Sequence, residues 1–189
     1  MSSFREHKQM SKYHLSVKTQ IVAVIVAIVS AVALPQLVHL IGKATGLGTA
    51  FGELLLPMHL PILLVGLLAG PFVGAVSGLL GPLCSFALSG MPGIAVLPFM
   101  TVELCAYGLF AGCLRKVNMP TIAKVFLVQV AGRVCRAAAT AFAFYVLGST
   151  TIPVVSVWNG VVNGVTGIAI QLILLPVIVA VVEKMKANE

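Results

Sequence analysis

The sequence predicts an all-α integral membrane protein, a bundle of six transmembrane helices with both termini cytoplasmic. Three observations lead there. No charged residue occurs between Leu54 and Val102, and none between Ala137 and Val182. Each run is about twice the ~20 residues that cross a bilayer as a helix. Apolar residues make up 59% of the 189-residue chain and charged residues 9%, with a mean hydropathy of +1.09. A soluble core of this size does not absorb that much apolar sequence. Finally, the basic residues gather in the tails and in one loop, where membrane topology would place them.

Residues 1–20 read as a cytoplasmic N-terminal segment. Phe4, Met10, Tyr13 and Leu15 alternate with Arg5, Lys8 and Lys12, a pattern that suits a short helix lying on the membrane surface. The segment lacks the apolar stretch and small-residue cleavage site of a removable signal. The first span runs over about 21–41. A Gly-rich connection carrying Lys43 and Glu53 follows. Pro57 suits the first turn of a second helix, where no N–H is needed, and that span covers about 57–69. Gly70-Pro71 ends it. The third span runs over about 72–88 and stops at Gly90-Met91-Pro92-Gly93. The fourth covers about 94–114 and ends at Arg115-Lys116. Pro120 precedes a fifth over about 121–147, Gly148 to Thr151 turns the chain, and a sixth covers about 154–182. Residues 183–189 form the tail. Alternating the six spans puts Arg5, Lys8, Lys12, Lys18, Arg115, Lys116, Lys184 and Lys186 on one side, with Lys43 opposite. The positive-inside rule makes the first side cytoplasmic.

Three charges inside apolar sequence stand out: Glu103, Arg133 and Arg136. Ionisable groups at membrane depth are costly and mark a ligand or ion site, or a buried pair. Glu103 falls ~14 Å into the fourth span and Arg133 ~18 Å into the fifth from the other side, by helical rise. The two therefore meet near the midplane, as an ion pair joining the helices. Arg136 lies one turn further out, with no second carboxylate evident at its depth. It is the expected partner of an anionic ligand, because a guanidinium donates two parallel hydrogen bonds to a carboxylate. Gln129, Arg133, Arg136 and Thr140 share one helical face, as do Glu103 with Tyr107, and Asn159 with Asn163. His59, at the outer start of the second helix, is a further candidate. Trp158 reads as an interfacial anchor.

Other chemistry finds little support. Cys84, Cys105, Cys113 and Cys135 form no CxxC pair and have no His at ligand spacing, so neither a metal site nor a disulfide framework is expected. The net charge of +7 sits in no aromatic-studded patch, which argues against nucleic-acid binding. No GxxxxGK[ST] phosphate loop occurs. Glu103 and Tyr107 lack the nucleophile–base pair or metal set of an enzyme.

The first helix carries Ala23-x3-Ala27-x3-Ala31. Further on stand Leu56-Pro57-Met58-His59-Leu60-Pro61, Gly70-Pro71, Gly90-Met91-Pro92 and Glu103-x3-Tyr107-Gly108. This resembles, over nearly the whole chain, the substrate-binding S-component of energy-coupling factor (ECF) vitamin transporters. The resemblance implies a non-enzymatic subunit of a bacterial cell membrane that captures a vitamin from outside. It implies partners: a membrane scaffold (T) subunit and two ATPase (A) subunits, docked through the face of Ala23, Ala27 and Ala31. It implies no cofactor, and a pocket in the outer half. Arg136, Arg133, Glu103, Tyr107, Asn159, Asn163, Gln129 and His59 are the candidate substrate contacts. Pantothenate suits them best, with a carboxylate for arginine and with hydroxyls and an amide for the side-chain amides. Riboflavin, niacin, folate, cobalamin and a queuosine precursor stay open as substrates. So does a stand-alone secondary transporter, for which Pro35 would have to break the first helix.

Overall fold

A computed structural model describes residues 15–48, 50–149, 153 and 155–188. The expected surface helix lies mostly outside these residues, as does most of the turn after Ser149. Among the described residues there is no strand. Six stretches are long and apolar enough to cross a membrane: Val17–Ala44, Ala50–Ala69, Pro71–Ser89, Leu97–Leu114, Thr121–Tyr145 and Val165–Met185.

Helix α1 spans Val17–Ala44. The Ser16 side-chain oxygen accepts the Thr19 N–H at 3.2 Å, satisfying one of the free donors of the first turn. The helix runs unbroken through Pro35, which a membrane helix tolerates when neighbours cover the freed backbone. The secondary-transporter reading therefore loses its broken first helix.

The second span differs from its expected shape. A short helix α2, Ala50–Leu55, precedes α3, His59–Ala69. Pro57 sits in the turn between them rather than opening α3. Leu56 takes φ +47° there, the left-handed region that a branched side chain enters at a cost of roughly 1–2 kcal/mol.

Helix α4, Pro71–Ser89, has Pro71 at its first position and ends on Gly90 with φ +70°. Helix α5, Leu97–Leu114, starts three residues later than expected, with Pro98 in its first turn. Helix α6 is Thr121–Tyr145. The sixth span, read as one helix, is two: α7, Val155–Asn163, and α8, Val165–Ala187, parted at Gly164. The end of α2 packs closely on this point from across the bundle. A Cβ at Gly167 would come 2.6 Å from the Leu55 carbonyl carbon, and one at Gly164 would meet the Leu56 side chain at 2.8 Å.

Helix α5 is central and packs on α3, α4 and α6. Against α4 the approach is backbone to backbone. A Cβ on Gly74 or Gly108 would fall on the other's main chain, and one on Gly112 would fall on Gly70 and Pro71. Small residues at such spacing let membrane helices close up and gain dispersion contact. The main core joins Ile62, Leu63, Leu67, Leu104, Ala111, Val125, Val128, Leu175 and Val179. Leu67 and Ala111 fall late on α3 and α5 and Val125 and Val128 early on α6, toward the termini, while Ile62, Leu63, Leu104 and Leu175 lie nearer mid-bundle. Met58 of the same core borders the cavity, which occupies the end of the bundle away from the termini.

Candidate functional site

The cavity measures about 390 Å³, within the range of small-molecule sites, and opens at the end of the bundle away from the termini. Its walls come from the outer end of α1 (Pro35, His39), from α2 and the following turn (Glu53, Leu56, Met58), from the loop before α5 (Met91, Val96), and from α6 and α7. Helical backbone is broken at Leu56 and Gly164, beside the cavity. Irregular backbone at membrane depth is tolerated where it lines such a space or lies buried in protein.

Glu103 organises the floor. It has no exposed surface, so its charge requires close partners. Its Oε1 accepts the Tyr107 hydroxyl at 3.0 Å and faces Arg133 Nη1 at 3.0 Å; its Oε2 accepts from Arg136 Nη1 at 2.8 Å. Arg133 and Arg136 are three residues apart on α6, and both turn toward α5. One carboxylate thus serves two guanidiniums. The expected Glu103–Arg133 pair is present, but Arg136 is not left without a carboxylate. It makes the shorter contact with the same acid. Depth counted by helical rise resolves a turn of helix, not the reach of an arginine side chain.

His59 is buried, with its Nε2 3.9 Å from Glu103 Oε1, too far for a hydrogen bond. Its ring lies 5.3 Å from that of Tyr107, tilted by 60°. Neither ring nitrogen has a hydrogen-bond partner. Arg133 Nε and Nη2 and Arg136 Nε are likewise buried and unpartnered.

Seven of the eight sequence-derived candidates divide into two groups. Arg133, Arg136, His59, Asn159 and Asn163 line the cavity, while Glu103 and Tyr107 stand behind the arginines. Asn163 Nδ2 donates to Glu53 Oε2 at 3.2 Å, joining α7 to α2. Gln129 is turned elsewhere: it is not in the cavity wall, and its Nε2 donates to Gln171 Oε1 at 3.1 Å. Gln171 Nε2 in turn donates to the Leu56 carbonyl at 3.2 Å. Gln171 escaped the sequence reading, although it is the one polar side chain between Thr166 and Glu183. Ser85 and Ser156, also in the wall, gave no signal.

Among the described residues no group of His, Cys, Asp or Glu is placed to hold a metal ion. The three alanines of α1 do not share one fate. Ala31 is wholly covered and faces Gly81, so it has no surface to offer a partner. Ala27 is nearly as covered, at 4% exposure, and only Ala23 stays partly exposed; both border a second, apolar groove of about 280 Å³ between α1 and α3, toward the termini.

Residues 16–179 match the family model described as "ECF transporter, substrate-specific component". No curated protein and no solved structure matches the chain significantly.

Proposed function

This chain belongs to the ECF transporter substrate-specific components, and from that premise we propose that it captures a small anionic vitamin, best fitted by pantothenate. The observation that carries this reading is the charge at the cavity floor. Arg133 and Arg136 share Glu103, which leaves one positive charge in excess at membrane depth. Such an excess is costly unless an anion offsets it. Asn159 and Asn163 supply amide groups for the hydroxyls and amide of pantothenate, and His59 offers two unspent ring nitrogens.

The wider assignment follows the family. The protein is a multi-pass membrane subunit with six apolar helices, acting in the bacterial cell membrane and taking its vitamin from outside. The sequence contains no phosphate loop, so ATP hydrolysis falls to two A subunits held by a T subunit. The groove bordered by Ala23 and Ala27 is the docking face for that scaffold; of the three expected alanines Ala23 alone keeps appreciable surface there, since Ala27 and Ala31 are buried.

Native mass spectrometry of the purified chain tests the ligand. A co-purified carboxylate of vitamin size is expected, and a neutral or cationic ligand would overturn the anionic reading. Transport tests the coupling. Uptake is expected to persist when the proton gradient is collapsed and ATP is maintained. Uptake by this chain alone in liposomes, driven by an ion gradient, would contradict the assignment.

A further inference from the structure

We propose that the ligand's anionic group docks on the Nε–Nη2 edge of Arg133, beside an Arg136–Glu103 pair that stays intact. This rests on the anionic reading above and adds which arginine grips, and with which edge. Both oxygens of Glu103 are engaged: Oε1 by Tyr107 and Arg133 Nη1, and Oε2 by Arg136 Nη1. A ligand that displaced Glu103 would have to break the 2.8 Å contact to Arg136 and strand a buried carboxylate. A ligand that binds beside it leaves that contact in place.

Arg133 has the vacancy that such a ligand needs. It lines the cavity and spends Nη1 on Glu103. Its Nε and Nη2 are buried and unpartnered. Those two nitrogens lie on one edge of the guanidinium plane, since Nη1 is the nitrogen cis to Cδ. That edge presents two parallel N–H groups, the geometry that receives a carboxylate bidentately. Buried donors without partners are rare in native structures, and each calls for an explanation such as a missing ligand or water. Arg136 Nε is also buried without a partner, but its Nη2 is not among the buried unpartnered atoms, so Arg136 does not carry the same need for an acceptor as the two covered donors of Arg133.

The surroundings agree. Gly160 of α7 faces both arginines without a side chain; a Cβ there would lie 3.3 Å from Arg133 Nη1 and 4.0 Å from Arg136 Nη1. The acid that does line the wall, Glu53, is exposed and bonded to Asn163. It does not offset the arginines. With the ligand in place, two guanidiniums face two carboxylates and the floor is neutral. His59, with both ring nitrogens unspent, completes the wall.

The test is calorimetric titration of the full chain in detergent with pantothenate and with pantothenol, which lacks the carboxylate. Arg133→Lys keeps a charge for Glu103 but removes the planar fork. It is expected to weaken pantothenate by ~30-fold or more and pantothenol far less. Arg136→Lys is expected to cost less for pantothenate than Arg133→Lys does. If wild type binds pantothenate, or another carboxylate vitamin such as nicotinate or folate, and Arg133→Lys stays within twofold, the fork assignment alone falls. The same holds if Arg136→Lys is the costlier change. If wild type binds no carboxylate vitamin, the anionic reading falls and takes the fork with it. Should Arg133→Lys fail to fold, wild type still decides. The chain has four arginines, so arginine-Nε-labelled protein gives a countable set of signals. The Arg133 Nε–H signal is expected to move on ligand addition while that of Arg136 holds. The reverse pattern would overturn the proposal.

Discussion

Along α4 and α5 the chain buries its polar backbone by bringing two unbroken helices into main-chain contact at Gly74 and Gly108. Across the bundle, α2–α3 and α7–α8 are both broken, and side chains bridge the gaps: Gln171 to the Leu56 carbonyl and Asn163 to Glu53. The first pair leaves no room for a ligand between its helices, lends the cavity only Ser85 and Met100 at its outer end, and contributes one charge, Glu103. The second pair gives up helical continuity and gains a cavity wall. The difference teaches that glycine has opposite uses in one small bundle. At Gly108 it closes a space, and at Gly160 it keeps one open.

The largest expected effect breaks the closed side. Gly108→Leu places a side chain where the Gly74 backbone lies. Overpacking costs about 1–3 kcal/mol where neighbours can yield, and more where the neighbour is main chain. No monodisperse species is expected on size-exclusion chromatography in detergent. A folded variant with the wild-type melting temperature would show that the contact is not needed.

Next comes the link between the two sides. Glu103→Gln leaves two guanidiniums facing one neutral amide. A loss of about 3–5 kcal/mol is expected, because breaking a buried pair strands its partner. Denaturant titration in detergent measures it. A second change, Arg136→Gln, is expected to recover part of the loss by removing one stranded charge. A silent Glu103→Gln would mean that α5 and α6 are joined by packing alone.

Smaller is the effect on the broken side. Gln171→Leu removes the bonds to Gln129 and to the Leu56 carbonyl, worth about 1 kcal/mol each net. The melting temperature is expected to fall modestly while ligand affinity falls as well, because Leu56 stands in the cavity wall. Unchanged affinity would separate the turn at Leu56 from the site. The smallest effect belongs to Gly160→Ala. Its methyl group would press on the Arg133 guanidinium at 3.3 Å, and a flexible side chain gives way. Stability is expected to hold and ligand affinity to drop by only about two- to fivefold, roughly 0.4–1 kcal/mol.

The closed side was legible in the sequence and the broken side was not. Charge-free runs and glycine or proline pairs mark six spans because helix length and backbone freedom are local properties. The breaks at Leu56 and Gly164 are not local. Leucine has no preference for a positive φ, and it holds that conformation while Gln171 bonds its carbonyl from another helix. Pro57 signalled a helix start and found itself in a turn for the same reason. The intramembrane charges identified the site, since their cost is independent of fold. Which oxygen each arginine would reach depends on rotamers, and so Arg136 was expected to stand free. Gln129 shares a face with the arginines, but one turn of helix carries it below the floor to Gln171.

Trp158 is exposed over 66% of its surface on α7, next to Asn159 of the cavity wall. It is the single tryptophan of the chain. Emission excited at the red edge of the indole band, where tyrosine does not absorb, therefore reports on α7 alone. The molecule carries its own optical probe one residue from the site, usable without labelling and compatible with stopped-flow mixing in micelles or nanodiscs.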